Sequence, residues 1–299
     1  MSKWGVNVGR GFGIGLGLMC SILLGNAALV GVAASRPVTF GTFLVGLATT
    51  LGLILVGLIA YWVYGLAGAS YRLDRNALII HWGTSQQIIP TGAIERVFTG
   101  DDIKGEVHFY GGRWPGHWVG YGELEDGGPT LFYATRPLRD QIFVATPGLV
   151  YALSPARREA FLDSLQQRVQ MGPTQTIEQS TRRPPILDWP IWRDSLGLVL
   201  LAVGALAFVS LLAIVSYRFP SLPALIPLHF GPSGAPDRLG PRTELFRVPL
   251  IGMLTLILNG SLGAVLYRRS RLASYLLWGA TVLVQVLVWT ATLGILSRI

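Results

Sequence analysis

Charge is what this sequence has least of. Only 13% of its 299 residues are Asp, Glu, Lys or Arg, against about 25% in soluble globular proteins. Much of such a chain needs no water-facing surface. Cysteine is nearly absent: the one thiol, Cys20, sits in an apolar run, which excludes an intrachain disulfide and any cysteine metal cluster. Acidic residues are missing altogether before Asp74, and after Arg193 only Asp194, Asp237 and Glu244 occur. No charged residue lies deep in any long apolar run. Since intramembrane ionisable residues usually mark proton or ion pathways, a coupled transporter is not the first expectation. No nucleophile–base arrangement and no phosphate-cradling glycine loop between a strand and a helix stands out, so no enzyme and no cofactor is expected.

What charge there is has an informative distribution. The formal net charge is +8, but residues 71–193 carry thirteen Lys/Arg against thirteen Asp/Glu. The excess lies at Lys3, Arg10, Arg36, Arg218, Arg238, Arg242, Arg247, Arg268, Arg269, Arg271 and Arg298. Basic residues that flank apolar runs are topology signals before they are anything else, and no basic stripe of the nucleic-acid-binding kind remains.

Long apolar runs are what the chain has in abundance. A helix of roughly 20 apolar residues crosses the ~30 Å hydrocarbon layer, and lipid offers exposed backbone groups no partner, so each span must be helical. Five segments qualify: residues 11–34, one span between Arg36 and Arg72, residues 195–217, residues 248–267, and one between Arg271 and Arg298. The first resembles a signal peptide in its basic start and in Val32-Ala33-Ala34, but its apolar region exceeds the usual ~7–15 residues, so a retained helix is expected. Placing the N-terminus inside puts ten Lys/Arg near span ends on the inner side and six on the outer, which favours a cytoplasmic N-terminus and middle domain, with loop 218–247 and the C-terminus external. Tyr61, Trp62 and Tyr64 close the second span, and Trp189 and Trp192 open the third, as aromatic belts do. Gly11, Gly13, Gly15 and Gly17 form a small-residue run that favours close helix packing and allows a homo-oligomer through glycine-rich faces. Asn26, Asn259 and Gln285 are expected to bond between helices.

Between the second and third spans the pattern changes. Strands are expected at 77–82, 86–90, 94–99, 106–110, 130–134, 141–145 and 149–152, with turns at Gly111-Gly112 and Gly127-Gly128-Pro129. Ser154-Pro155 reads as an N-cap with Pro at the first helical position. Phe161, Leu162, Leu165 and Val169 then recur at helical spacing. Tyr71-Arg72-Leu73-Asp74, Ile88-Ile89-Pro90 before Ile94-Glu95-Arg96-Val97, and Val150-Tyr151-Ala152-Leu153-Ser154-Pro155 leading to Phe161-Leu162 resemble the bacterial pleckstrin-homology-like domains. The resemblance covers about a third of the chain. It implies a seven-stranded PH fold used for binding or assembly, with a protein partner or the membrane surface as its target. Inositide-binding PH domains place a basic cluster in the first strand–strand loop; here that loop offers only Asp74-Arg75-Asn76. His108 and His117, with Glu106 and Asp101, read as strand and loop surface residues.

The loop between the third and fourth spans is rich in Pro and Gly. Pro232-Ser233-Gly234 should form a tight turn, flanked by His229 and Asp237 at hydrogen-bonding reach. A metal there would need at least one further ligand, and Glu244 is the only other acid in the loop, so a turn-stabilising His–Asp pair is the expectation. The candidate external site is His229, Gly231, Gly234, Asp237 and Arg238, with no metal. The string from Leu222 to Gly240, with its Pro-x-His-Phe step, Gly-rich turn and Asp-Arg pair, resembles an uncharacterised domain of SdpI-like bacterial membrane proteins, which implies a role in immunity or signalling.

The fold class expected is thus an α+β membrane protein. A two-helix hairpin (1–70) precedes a PH-like β-sandwich or barrel closed by a C-terminal helix (71–171). A linker (172–194) then leads to a three-helix region (195–299) with an external loop at 218–247. The functional expectation is a multi-pass protein of the cell membrane, of binding, signalling or assembly type; a transporter subunit or an SdpI-like immunity factor is the alternative.

Overall fold

The computed structural model describes residues 2–125, 127–184, 189–231 and 236–299. The protein is of the α+β class, with five helices among the described residues long and apolar enough to cross a membrane and a β-sheet domain between the second and third. Its helices are α1 (Gly9–Ala34), α2 (Phe40–Ala67), the short α3 (Arg158–Met171), α4 (Ser195–Arg218), α5 (Arg247–Leu266) and α6 (Arg271–Leu296). The chain gathers into two compact units, Met1–Gly25 with Gly52–Leu187, and Asn26–Leu51 with Asp188–Ile299.

The first unit holds eleven strands: β1 (Ser2–Gly5), β2 (Ser70–Leu73), β3 (Ala77–Trp82), β4 (Ser85–Pro90), β5 (Arg96–Thr99), β6 (Val107–Trp114), β7 (His117–Leu124), β8 (Gly128–Ala134), β9 (Ile142–Thr146), β10 (Leu149–Leu153) and β11 (Ser180–Arg182). One sheet runs β1-β2-β3-β4-β11 and the other β5-β9-β10-β8-β7-β6. Alternation along each strand sends side chains to opposite faces. Tyr71, Leu73, Leu78, Ile80, Ile89, Tyr133, Val144, Tyr151 and Leu153 thereby meet in one core, which Phe161 and Leu165 of α3 and Leu66 of α2 complete. Phe132, Phe143, Val150 and Ala152 build a second cluster with Phe98, Phe109 and Trp118.

Several local expectations change here. The β-domain extends beyond 71–171. Ser2 to Gly5 pair antiparallel with Leu73 to Ser70, and Ser180 to Arg182 pair with Ile88 to Gln86. The β1–β2 ladder ties the residues just before α1 to those just after α2. Gly111-Gly112 is no turn; both lie within β6, opposite Gly120 and Val119. A Cβ on Gly112 would press on the Trp62 ring, so glycine serves close approach there. The turn falls at Pro115-Gly116, between the paired Trp114 and His117, with Gly116 at φ 90°, the Pro-then-positive-φ pattern of a type II turn. Ser154 does not cap α3, which starts at Arg158 without a side-chain cap. Its Oγ instead accepts the Thr135 backbone N–H at 2.7 Å, inside the domain.

The glycine run of α1 is used at every fourth residue. Cβ atoms on Gly11 and Gly15 would collide with Leu66 and Val63 respectively, whereas Gly13 and Gly17 face open space. This i,i+4 spacing is the small-xxx-small geometry that lets helices approach closely.

In the second unit Asn26 Nδ2 donates to the Thr49 carbonyl (3.3 Å), Gln285 Nε2 to Gly252 (2.8 Å) and Trp289 Nε1 to Ala207 (2.8 Å). Asn259, half-buried, makes no such bond among the described residues. Gly263 lets the Trp278 indole lie against α5. The Pro- and Gly-rich loop is more regular than its composition implies. It forms a hairpin of β12 (Leu225–Phe230) and β13 (Pro236–Pro241), with register shifts around His229. Ile226 anchors its base, buried with Val215, Phe219, Leu222, Leu245 and Ile295.

Candidate functional site

The β12–β13 hairpin brings together three of the five residues singled out in that loop. His229 Nδ1 and Asp237 Oδ1 lie 2.6 Å apart, both side chains more than half exposed. Arg238, paired in register with His229, donates to Glu244 Oε2 at 3.3 Å, and Arg247 donates to the same oxygen at 2.8 Å. Glu244 is therefore occupied by two guanidinium groups and does not join the His–Asp pair. Gly231 follows β12 outside any regular element. Gly234, with the expected Pro232-Ser233-Gly234 turn, lies outside the described residues. Arg242 locks the root: its backbone N–H and its Nη1 donate to the carbonyls of Ala224 (3.0 Å) and Leu222 (3.1 Å), and its guanidinium lies over the Phe219 ring. The result is a braced hairpin that carries an exposed His229–Asp237 pair.

A second arrangement, in the β-domain, escapes sequence reasoning. His117 is fully buried rather than at the surface. It stacks on Trp114 (centroids 3.9 Å apart, planes 16° from parallel), with Trp62 and Trp82 also against it. Neither ring nitrogen has a hydrogen-bond partner among the described residues, and burial pushes the imidazole down to about 4. The nearby Trp114 Nε1 donates to the Gly11 carbonyl at 2.9 Å, so this aromatic stack fastens the start of α1 to the β6–β7 turn. Beside it, Tyr61, Trp62, Tyr64, Trp82, Tyr121 and Tyr133 line a cavity of about 260 Å³ with Arg183 at its edge. Tyr121 pairs in register with Tyr110 of β6, the edge strand of its sheet, and Tyr110 is 67% exposed. The one sequence signal for all this is the density of Trp and Tyr around 110–121.

The loop after β2, where inositide-binding PH domains carry their basic cluster, is committed internally. Arg75 Nε donates to the Gly172 carbonyl (3.3 Å), and Asn76 Oδ1 accepts from the backbone of Thr174 (2.7 Å). His108 is exposed, and Asp101 faces Arg158 at 4.0 Å, so no cluster forms around them.

Asp194 is a third feature. It caps α4 by accepting the Gly197 N–H (3.2 Å), and it accepts the hydroxyls of Tyr267 (2.6 Å) and Tyr275 (2.7 Å). The Tyr267 and Tyr275 hydrogen bonds hold its carboxyl below the usual range, and the same contact pushes the Tyr267 phenol up to about 12. Its signal in the sequence is an N-cap residue directly before a charge-free run.

Comparison with known families follows these two regions. No curated protein and no solved structure matches the chain detectably. Residues 69–169 match the bacterial PH domain, and residues 205–253 match a domain of unknown function, DUF1648, spanning much of α4, the hairpin and the start of α5. The chain is thus a multi-pass membrane protein that carries a bacterial PH domain between its second and third apolar helices and a DUF1648 region after it.

Proposed function

We propose that this protein is a non-enzymatic binding or assembly factor of the cell membrane, whose PH-like domain presents a partner-binding surface at the cytoplasmic face. The observation that carries this reading is the β1–β2 ladder. It closes the α1–α2 hairpin on the same domain that exposes Tyr110, so the domain is held at the bilayer rather than tethered by a flexible linker. Pre-positioning of this kind lowers the orientational cost of engaging a partner or the membrane surface. The Lys/Arg distribution favours a cytoplasmic domain, with the β12–β13 hairpin and C-terminus outside. The His229–Asp237 tip then faces a second, external ligand. Gly13 and Gly17, which face open space on α1, are where two copies would pack in an assembled form. In the SdpI-like immunity or signalling reading, the His229–Asp237 pair is the sensing element. A transport role has less support, because no Asp, Glu, Lys or Arg lies deep in any of the apolar spans, where proton and ion pathways usually place them.

The test is photo-crosslinking in cells from a benzophenone amino acid at Tyr110 of the full chain. Capture of a discrete protein that is lost in Tyr121→Asp supports the reading. No captured protein, with the protein folded and in the membrane, overturns the partner surface.

A further inference from the structure

We propose that Arg10, Arg113 and Arg136 form a binding groove for the phosphate of an anionic phospholipid headgroup. The three side chains line one groove of about 760 Å³, together with Asn7 and the Trp114 and Trp118 rings. That volume falls within the ~300–1,000 Å³ of small-molecule sites. No carboxylate lies within salt-bridge distance of any of the three arginines among the described residues, so the groove concentrates positive charge although residues 71–193 as a whole carry as many acids as bases. Two of the arginines are held in place: Arg113 lies over the Trp118 ring at 4.1 Å, and Arg136 Nη2 donates to the Ala156 carbonyl at 3.3 Å. Planar guanidinium forks match phosphate oxygens in pairs.

Depth selects a lipid. Arg10 is the second residue of α1, and the apolar run of that span begins immediately after it. A span so placed puts Arg10 at the level where lipid phosphates lie and where amphipathic aromatic rings such as Trp114 concentrate. The Trp114 bond to the Gly11 carbonyl fixes the β6–β7 turn, and with it Arg113, at the same level. The positive end of the α1 dipole adds to the field. The groove is also separate from the loop after β2, whose Arg75 and Asn76 are committed elsewhere. The inference deepens the membrane-surface part of the proposed function and rests on α1 lying in the bilayer.

Native mass spectrometry of the full-length protein released from detergent, with phosphatidylglycerol or phosphatidylcholine of matched acyl chains, tests it. Phosphatidylglycerol adducts should be retained in preference. Each of Arg10→Gln, Arg113→Gln and Arg136→Gln should weaken retention roughly fivefold, and the triple variant on the order of a hundredfold. Lys104→Gln with Arg139→Gln, exposed charges outside the groove, should change nothing. The single variants keep the test decisive should the triple variant not fold. Equal retention of the two lipids, or undiminished retention by folded variants, overturns the proposal. Inorganic phosphate is the soluble arm: tryptophan fluorescence that responds to phosphate but not to phosphatidylglycerol overturns the headgroup assignment. Tyr110 lies on no wall of the groove, so a failure here leaves the crosslinking result standing.

Discussion

Tyr71 reaches across the β-domain core, its hydroxyl donating to the Tyr133 carbonyl at 2.6 Å and accepting the Ser154 N–H at 3.0 Å. Burial raises its phenol far above the ordinary range, so it stays a neutral donor and acceptor. Tyr71→Phe leaves the Ser154 N–H unpaired in a dry interior, which costs about 1–3 kcal/mol, measurable by denaturant titration of the solubilised protein. His117 works in the opposite sense, because its two buried nitrogens have no partners among the described residues. Its folded pKa of about 4 lies below the unfolded value near 6.5. The unfolded chain therefore takes up a proton as pH falls from about 6.5 to about 4, and stability drops across that window by on the order of 3 kcal/mol. His117→Phe should flatten this slope without lowering stability at about pH 7; an unchanged slope would assign it to other groups. Neither role is written in the sequence. Tyr71 looks like any strand tyrosine, and a histidine between turn residues reads as surface until Trp62, from a different element, is seen against it.

At the scale of elements, legibility followed period. β3 falls where its apolar run ends at Gly83, and α3 buries the stripe read from Phe161, Leu165 and their neighbours. β7 was hidden because Gly111-Gly112 looks like a turn, whereas Gly112 serves the approach of Trp62 and Gly111 that of the β7 backbone. The β12–β13 hairpin was hidden because Pro227, Pro236 and Pro241 sit in strands whose neighbours never need their missing N–H, the two-stranded edge setting in which proline is tolerated. Helix packing in the second unit turns on small residues. Gly263→Leu would drive a side chain into the Trp278 ring and should cost about 1–3 kcal/mol through overpacking. Gly279→Leu, facing open space on α6, should be near neutral; equal effects would contradict this packing. Asp194 links α4 to Tyr267 and Tyr275 at once. Its carboxyl titrates lower in the folded state, so its stabilisation is present above the unfolded value near 3.9 and is lost as pH falls through the lowered one. Asp194→Asn should lower the melting temperature at neutral pH and remove that acid-side loss, as thermal scans at several pH values would show.

For the molecule as a whole, composition carried the five spans and the inserted domain, because the bilayer demands helices about 20 apolar residues long. Composition could not carry the arrangement in which strand residues 2–5 return to residues 70–73 across two membrane helices, since that pairing joins segments nearly seventy residues apart. Nor could it gather Arg10, Arg113 and Arg136, which are distant in sequence. The ladder between β1 and β2 is the feature on which the functional account depends, and it can be measured in the membrane. In a Cys20→Ala background, Lys3→Cys and Arg72→Cys occupy paired positions. The account predicts that mild oxidation of membranes joins them in a disulfide, seen as a linked peptide and as loss of maleimide labelling. Two freely labelled thiols that never join, in a folded and membrane-inserted protein, would contradict it.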